Sequence, residues 1–233
     1  MENVAVRALR PITSSDGVVS SLYQDLVDSP ATCAVLAIGL VIEVVLVLAH
    51  GVNKELLGDR SFLALDKDAN LPAWTETALF VGAGICCGVL AWLKRRARWS
   101  LALLGVVAML MSFEQMAQLH TRVEADLGGV ATKGIEPLMA IGLVLIVLSA
   151  SRQLPRLSKV CLWGAVAAIA MAQGSSMLNS EFTLPHAALV FFQTTEEVGE
   201  MLTATLLVAA TIQPIIDGVV NRVLTGRAAS LPA

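Results

Sequence analysis

Six glutamates stand inside long apolar stretches of this chain: Glu43, Glu76, Glu114, Glu196, Glu197 and Glu200. An acidic side chain at the middle of a membrane helix costs on the order of 2.5 to 3.5 kcal/mol on insertion scales. Each should therefore face other helices with a partner or carry a proton. The apolar parts of these stretches hold no lysine or arginine, so neutralisation has to come from a proton, a metal ion or another subunit. All three histidines, His50, His120 and His186, fall at the same ends of their stretches. At about 1.5 Å per residue, Glu43, Glu76 and Glu114 lie roughly 6 to 11 Å inside those ends. Carboxylates and imidazoles at one depth fit two chemistries. Mixed oxygen and nitrogen ligands suit a transition-metal ion such as zinc, iron, manganese or copper, and a chain of Glu and His can relay protons. A third reading is structural: protonated glutamates that hydrogen-bond between helices or meet a membrane-protein partner subunit.

Helix periodicity sorts these residues by face. At about 100° per residue, His186, Gln193, Glu197 and Glu200 share an arc of roughly 60°, whereas Glu196 points away from most of them. Glu43 and His50, seven apart, share a face; Glu114 and His120, six apart, do not. The candidate ligand or relay set is Glu43, Glu76, Glu114, Glu197 and Glu200, with His50, His120 and His186 at its rim. No spacing here has the specificity of a paired metal-binding motif. Haem, held by two of the histidines, ranks below a bare metal because the porphyrin would sit partly in water, and no CxxCH is present. Asp66, Asp68 and Asn70 reproduce the first side-chain positions of an EF-hand calcium loop, but Leu71 replaces the required glycine and Thr77 the bidentate glutamate. A turn leading into a helix ranks above calcium there.

These residues need a membrane scaffold to position them. Of the 233 residues 56% are hydrophobic and 15% charged, and the mean hydropathy is +0.72, which excludes an ordinary water-soluble core. The sequence predicts an all-α, polytopic bundle of about six transmembrane helices near residues 31–50, 73–93, 99–120, 137–151, 158–178 and 186–213. A cytoplasmic segment over 1–29, with a short amphipathic surface helix and no signal peptide, is expected to precede the six-helix domain of 30–213, and a tail over 214–233 to follow it. Arg7, Arg10, Lys94, Arg95, Arg96, Arg98, Arg152, Arg156, Lys159, Arg222 and Arg227 fall on one side of this arrangement. Lys54, Arg60, Lys67, Arg122 and Lys133 fall on the other. Basic residues are retained inside during insertion, so the richer side is expected to be cytoplasmic, with both termini in. Pro30, Pro72, Pro137 and Pro185 suit helix starts.

The four cysteines fall within predicted helices and read as small apolar side chains, and Gly84 with Gly88 has the spacing that lets helix backbones approach. Within one polytopic chain that spacing points to internal packing. Walker loops, dinucleotide fingerprints and nucleic-acid signatures are absent from the sequence, and topology accounts for the basic loops.

Three segments together carry a resemblance: Asp66-x-Asp68-x-Asn70-x-Pro72-x-Trp74 at the opening of the second helix, Ser112-Phe113-Glu114 to Leu119-His120 on the third, and Glu196-Glu197 with Glu200-Met201 on the sixth. They resemble a group of uncharacterised bacterial multi-pass inner-membrane proteins. The resemblance, over roughly residues 60–210, implies the helical fold, the inner membrane and the polar positions, and it supplies no reaction. In that group an acidic residue often precedes the helix-three glutamate and another follows the histidine; Phe113 and Thr121 stand there in this chain.

Overall fold

The computed structural model describes residues 21, 23–56, 70–94, 96, 98–117, 141–181 and 185–229. Everything regular in them is helix. After one short helical stretch ending at Val27 come α1 (Pro30–Leu56), α2 (Leu71–Leu93), α3 (Arg98–Ala117), α4 (Ile141–Ser151), α5 (Arg156–Glu181) and α6 (His186–Ala229). Among the described residues, α1, α2, α5 and α6 each contain a segment long and apolar enough to cross a membrane, while α3 and α4 have shorter apolar segments. Ile38, Val41, Val44 and Leu48 line an α1 face that no other described helix covers, as a lipid-facing helix requires.

Local chemistry explains the starts. Asn70 caps α2, its Oδ1 accepting the Ala73 N–H at 2.8 Å, and Pro72 sits in the first turn, where no N–H is needed. Asn70 thus serves the helix start, as the turn reading expects; Asp66 and Asp68 lie outside the described residues. Pro30 opens α1 with the Ser29 carbonyl accepting from Cys33 N–H, and the Pro185 carbonyl accepts from Ala188 and Leu189. Pro137 lies outside the described residues, as do positions 1–20 and Leu22 of the expected amphipathic segment.

The end of the last helix differs from expectation. Instead of stopping near 213, α6 runs through Pro214 to Ala229, 44 residues. Proline removes one backbone hydrogen bond from a helix interior. Here Pro214 is buried and its turn is held by neighbours: the Gln213 Oε1 accepts the Ala31 N–H of α1 at 3.3 Å, and Gly218 abuts Leu93 of α2. Neighbouring helices of this kind are what make proline tolerable in a membrane helix.

The long α6 is the spine of the bundle. It packs against α1, α2 and α5, and α3 packs against α2. The core holds Phe80, Leu90, Leu101, Leu104, Leu162 and Ala210, and α4 enters it through Val147 and Ala150. Without a hydrophobic driving force between helices in lipid, close backbone approach supplies the attraction. Gly84 and Gly105 show it: a Cβ on either would stand about 3 Å from the other's carbonyl oxygen. Gly84 therefore does the internal packing expected of the glycine pair, while Gly88 faces open space. Cys87 and Cys161 are buried in the same core.

Candidate functional site

Side-chain contacts fix how the helices register against one another. α1 and α6 are antiparallel: Thr32 Oγ1 donates to the Ala209 carbonyl at 3.0 Å, Gly39 touches Thr205, Thr205 Oγ1 donates to Glu43 Oε1 at 3.0 Å, and Leu46 clusters with Met201. Carried two turns further, that pairing sets His50 level with residues 194–198 of α6. α2 runs parallel to α6, with Leu93 against Gly218 and Cys86 beside Thr211, so Glu76 stands level with Met201. α3 is antiparallel to α2, with Ser112 Oγ donating to the Thr77 carbonyl at 3.1 Å; the backbone of Glu114 is therefore level with Glu76. α5 meets this layer with small residues, Ala168 and Ala172 against Gly199.

Four helices thus bring candidates to one cross-section: His50 from α1, Glu76 from α2, Glu114 from α3, and Glu197 with Glu200 from α6. His50 and Glu76 are buried, Glu76 to 1% exposure. Glu197 and Glu200 are half-buried. Glu43 lies about one turn deeper, at the level of Thr205. His50, Glu76, Glu197 and Glu200 each have an interaction partner. His186 is not brought into the layer, since α6 is unbroken and eleven residues of helix, about 16 Å, separate it from Glu197. His120 lies outside the described residues, as do the side chains of Glu114 and His186.

Four further polar residues join the set. Asn53 and Asn70 are fully buried and stand at one level, outward of His50; Ser112 and Thr205 are buried beside Glu76 and Glu43. Asn53 was legible as the next member of the stripe Glu43, Leu46, His50, Asn53, spaced three and four apart. Thr205 carried no signal, because a threonine in an apolar helix reads as core.

The polar groups therefore descend in steps from one end of the bundle: Asn53 and Asn70, then His50 and Glu197, then Glu76 and Glu200, then Glu43 with Thr205. From the level of Thr205 downward the interior closes with Phe80, Ala83, Ala204, Leu207 and Ala210. Among the described residues, no three of His, Cys, Asp or Glu form a group able to hold a metal ion. The profile of a family described as a domain of unknown function, DUF8692, matches residues 31–213, from the first turn of α1 to the residue before Pro214. The chain belongs to DUF8692. The DUF8692 region contains every residue of the layer and ends where α6 passes Pro214. No curated protein and no solved structure matches the chain.

Proposed function

We propose that this DUF8692 chain takes protons, or a small cation in their place, into a stepped Glu/His path that opens on the extracytoplasmic side of the bacterial inner membrane. The observation that carries this reading is the Glu43–Thr205 hydrogen bond, which places a buried carboxyl at the inner end of the series, against an apolar plug. Groups spaced about one helical turn apart, each ionisable or hydrogen-bonding, let a proton pass by short transfers. The plug stops the path from continuing across a static bundle. Passage to the other side thus requires movement of α2 or α6, so the expected behaviour is that of a carrier, not an open pore. Proton uptake into liposomes that hold the purified protein and an internal pH dye tests it.

The proposal includes six spans with both termini in the cytoplasm. Its support is that Lys94, Arg96, Arg98, Arg152, Arg156 and Arg222 gather at one end of the described bundle: Arg222 reaches the carbonyls of Trp92 and Leu93, and Arg156 pairs with Asp25 at 4.0 Å. α3, with 20 residues, is about 30 Å long, enough for a hydrocarbon core. Reporter fusions after Arg96, Pro155 and Thr225 should read cytoplasmic, and fusions near Arg60, Gly128 and Glu181 extracytoplasmic. A cytoplasmic reading at Gly128 would remove α3 and α4 from the set of spans.

A bound transition-metal ion is a second reading, favoured by the common level of Glu76, Glu200 and the backbone of Glu114, one step from His50. Elemental analysis after mild, chelator-free purification separates the two. Stoichiometric metal that falls sharply in Glu114→Gln and in Glu200→Gln would establish the metal reading. Absence of metal would leave protons as the cargo. In an accessory subunit the same swaps would leave metal content and proton flux unchanged but weaken co-purification of a partner, because an amide matches a protonated acid in shape and hydrogen bonding.

A further inference from the structure

The basic end of the bundle is more organised than topology alone requires. Retention of lysine and arginine on one side explains which end they occupy, but not how they are held. Where α2 ends and α3 begins, the Arg222 guanidinium from α6 lies 4.3 Å from the centre of the Trp92 ring, and its Nη2 donates toward the carbonyls of Trp92 and Leu93 at 3.3 and 3.5 Å. On α3 the Arg98 guanidinium lies 4.7 Å from the Trp99 ring. Both indoles are largely uncovered by protein, Trp92 at 69% and Trp99 at 74% exposure. Lys94 and Arg96 stand between them in the chain. Guanidinium on an indole face is fixed in plane while remaining charged.

Asp217, the nearest described carboxylate on α6, is five residues from Arg222, about 140° around the helix, and accepts a hydrogen bond from Gln213. Asp25 and Asp28 belong to the stretch before α1, where Asp25 faces Arg156 and Asp28 accepts from Gln24. Lys94, Arg96, Arg98 and Arg222 thus gather in a cationic notch where α2 ends and α3 begins, beside two exposed indoles, and the chain carries no acidic residue between Glu76 and Glu114. Tryptophan belongs at the headgroup level of a bilayer, and planar guanidinium matches a phosphate diester with paired N–H donors.

We propose that this notch, at the junction of α2, α3 and α6, binds the phosphate of an anionic phospholipid headgroup. The indoles lie against glycerol and upper acyl chain, and Arg98 and Arg222 face the phosphate from two helices. A lipid held there bridges α6 to the α2–α3 turn. The proposal does not depend on the Glu/His path, which lies at the opposite end.

The test uses the purified full chain, stripped of lipid in an uncharged detergent and given equal amounts of phosphatidylglycerol and phosphatidylcholine with the same acyl chains. Bound lipid is counted by native mass spectrometry. Wild type should retain the anionic lipid roughly tenfold over the zwitterionic one, and the double variant R98Q/R222Q should bring the ratio near parity while helical circular dichroism is kept. R98K/R222K should keep most of the preference. Equal retention of the two lipids by wild type would overturn the proposal, as would an unchanged preference in R98Q/R222Q. Displacement of the lipid by inorganic phosphate at about the same concentration would also overturn it, since the site would then be one for a free anion. Should R98Q/R222Q fail to fold, the wild-type preference measured in about 1 M salt decides: it should collapse, because the Debye length there is about 3 Å, and a salt-insensitive preference would count against a headgroup site.

Discussion

Gly39→Ala should lower the unfolding free energy by roughly 1 to 3 kcal/mol, the usual cost of forcing a methyl group into a filled interior. A Cβ at residue 39 would stand 2.3 Å from Thr205 Cγ2 and 2.9 Å from its Oγ1. Thr205 is 1% exposed and its hydroxyl is committed to Glu43, so it cannot rotate away without breaking that bond. Either α1 and α6 separate or the Glu43 carboxyl loses its donor. Thr205→Ala alone should cost about 1 kcal/mol, because hydrogen bonds between membrane helices average about 0.6 and reach about 1.7 kcal/mol. In the pair Gly39→Ala with Thr205→Ala, the clash shrinks to the 3.2 Å separation from residue 205 Cβ, so the two losses should fall short of additive by about 1 kcal/mol or more. Reversible unfolding in mixed detergent micelles measures all three. Additive losses would mean that Gly39 and Thr205 do not share one space.

Much of the scaffold was legible because membrane helices follow a few strong rules. Apolar length fixed where α1, α2 and α5 would run, and Asn70 with Pro72 marked the start of α2 to within two residues. Proline misled at Pro214, where reading the chain alone makes it a terminus; the bonds from Gln213 to α1 and the contact of Gly218 with Leu93, which carry the helix onward, come from residues far apart in sequence. For the site, the cost of burying an acid singled out Glu43 and Glu76, and both are buried. Which residues stand level with one another was only half legible. Distance from a helix end estimates depth, but the pairing of α1 with α6 depends on side-chain contacts such as Leu46 with Met201. That is also why Thr205 was missed: its importance is its position opposite Glu43, and a threonine hydroxyl that returns to its own helix backbone, as Thr211 does, has the same sequence appearance.

The central claim concerns exchange of protons along the stepped layer, and among the described side chains Glu43 and Glu76 are its buried carboxyls. Glutamine at either position keeps shape and can hydrogen-bond, but it cannot gain and lose a proton under ordinary conditions. Glu76→Gln should therefore interrupt the path at its middle and Glu43→Gln at its inner end, each lowering proton flux at least tenfold, while expression and helix content stay near wild type. Thr205→Ser, which keeps the hydroxyl toward Glu43, should retain most of the flux, whereas Thr205→Val should not. The most direct measurement is dye-reported acidification of proteoliposomes driven by a membrane potential, with protein-free vesicles of the same lipid as the baseline. The account predicts wild-type flux above that baseline and flux at the baseline for Glu43→Gln and Glu76→Gln; wild type at the baseline, or Glu76→Gln running at the wild-type rate, would contradict it.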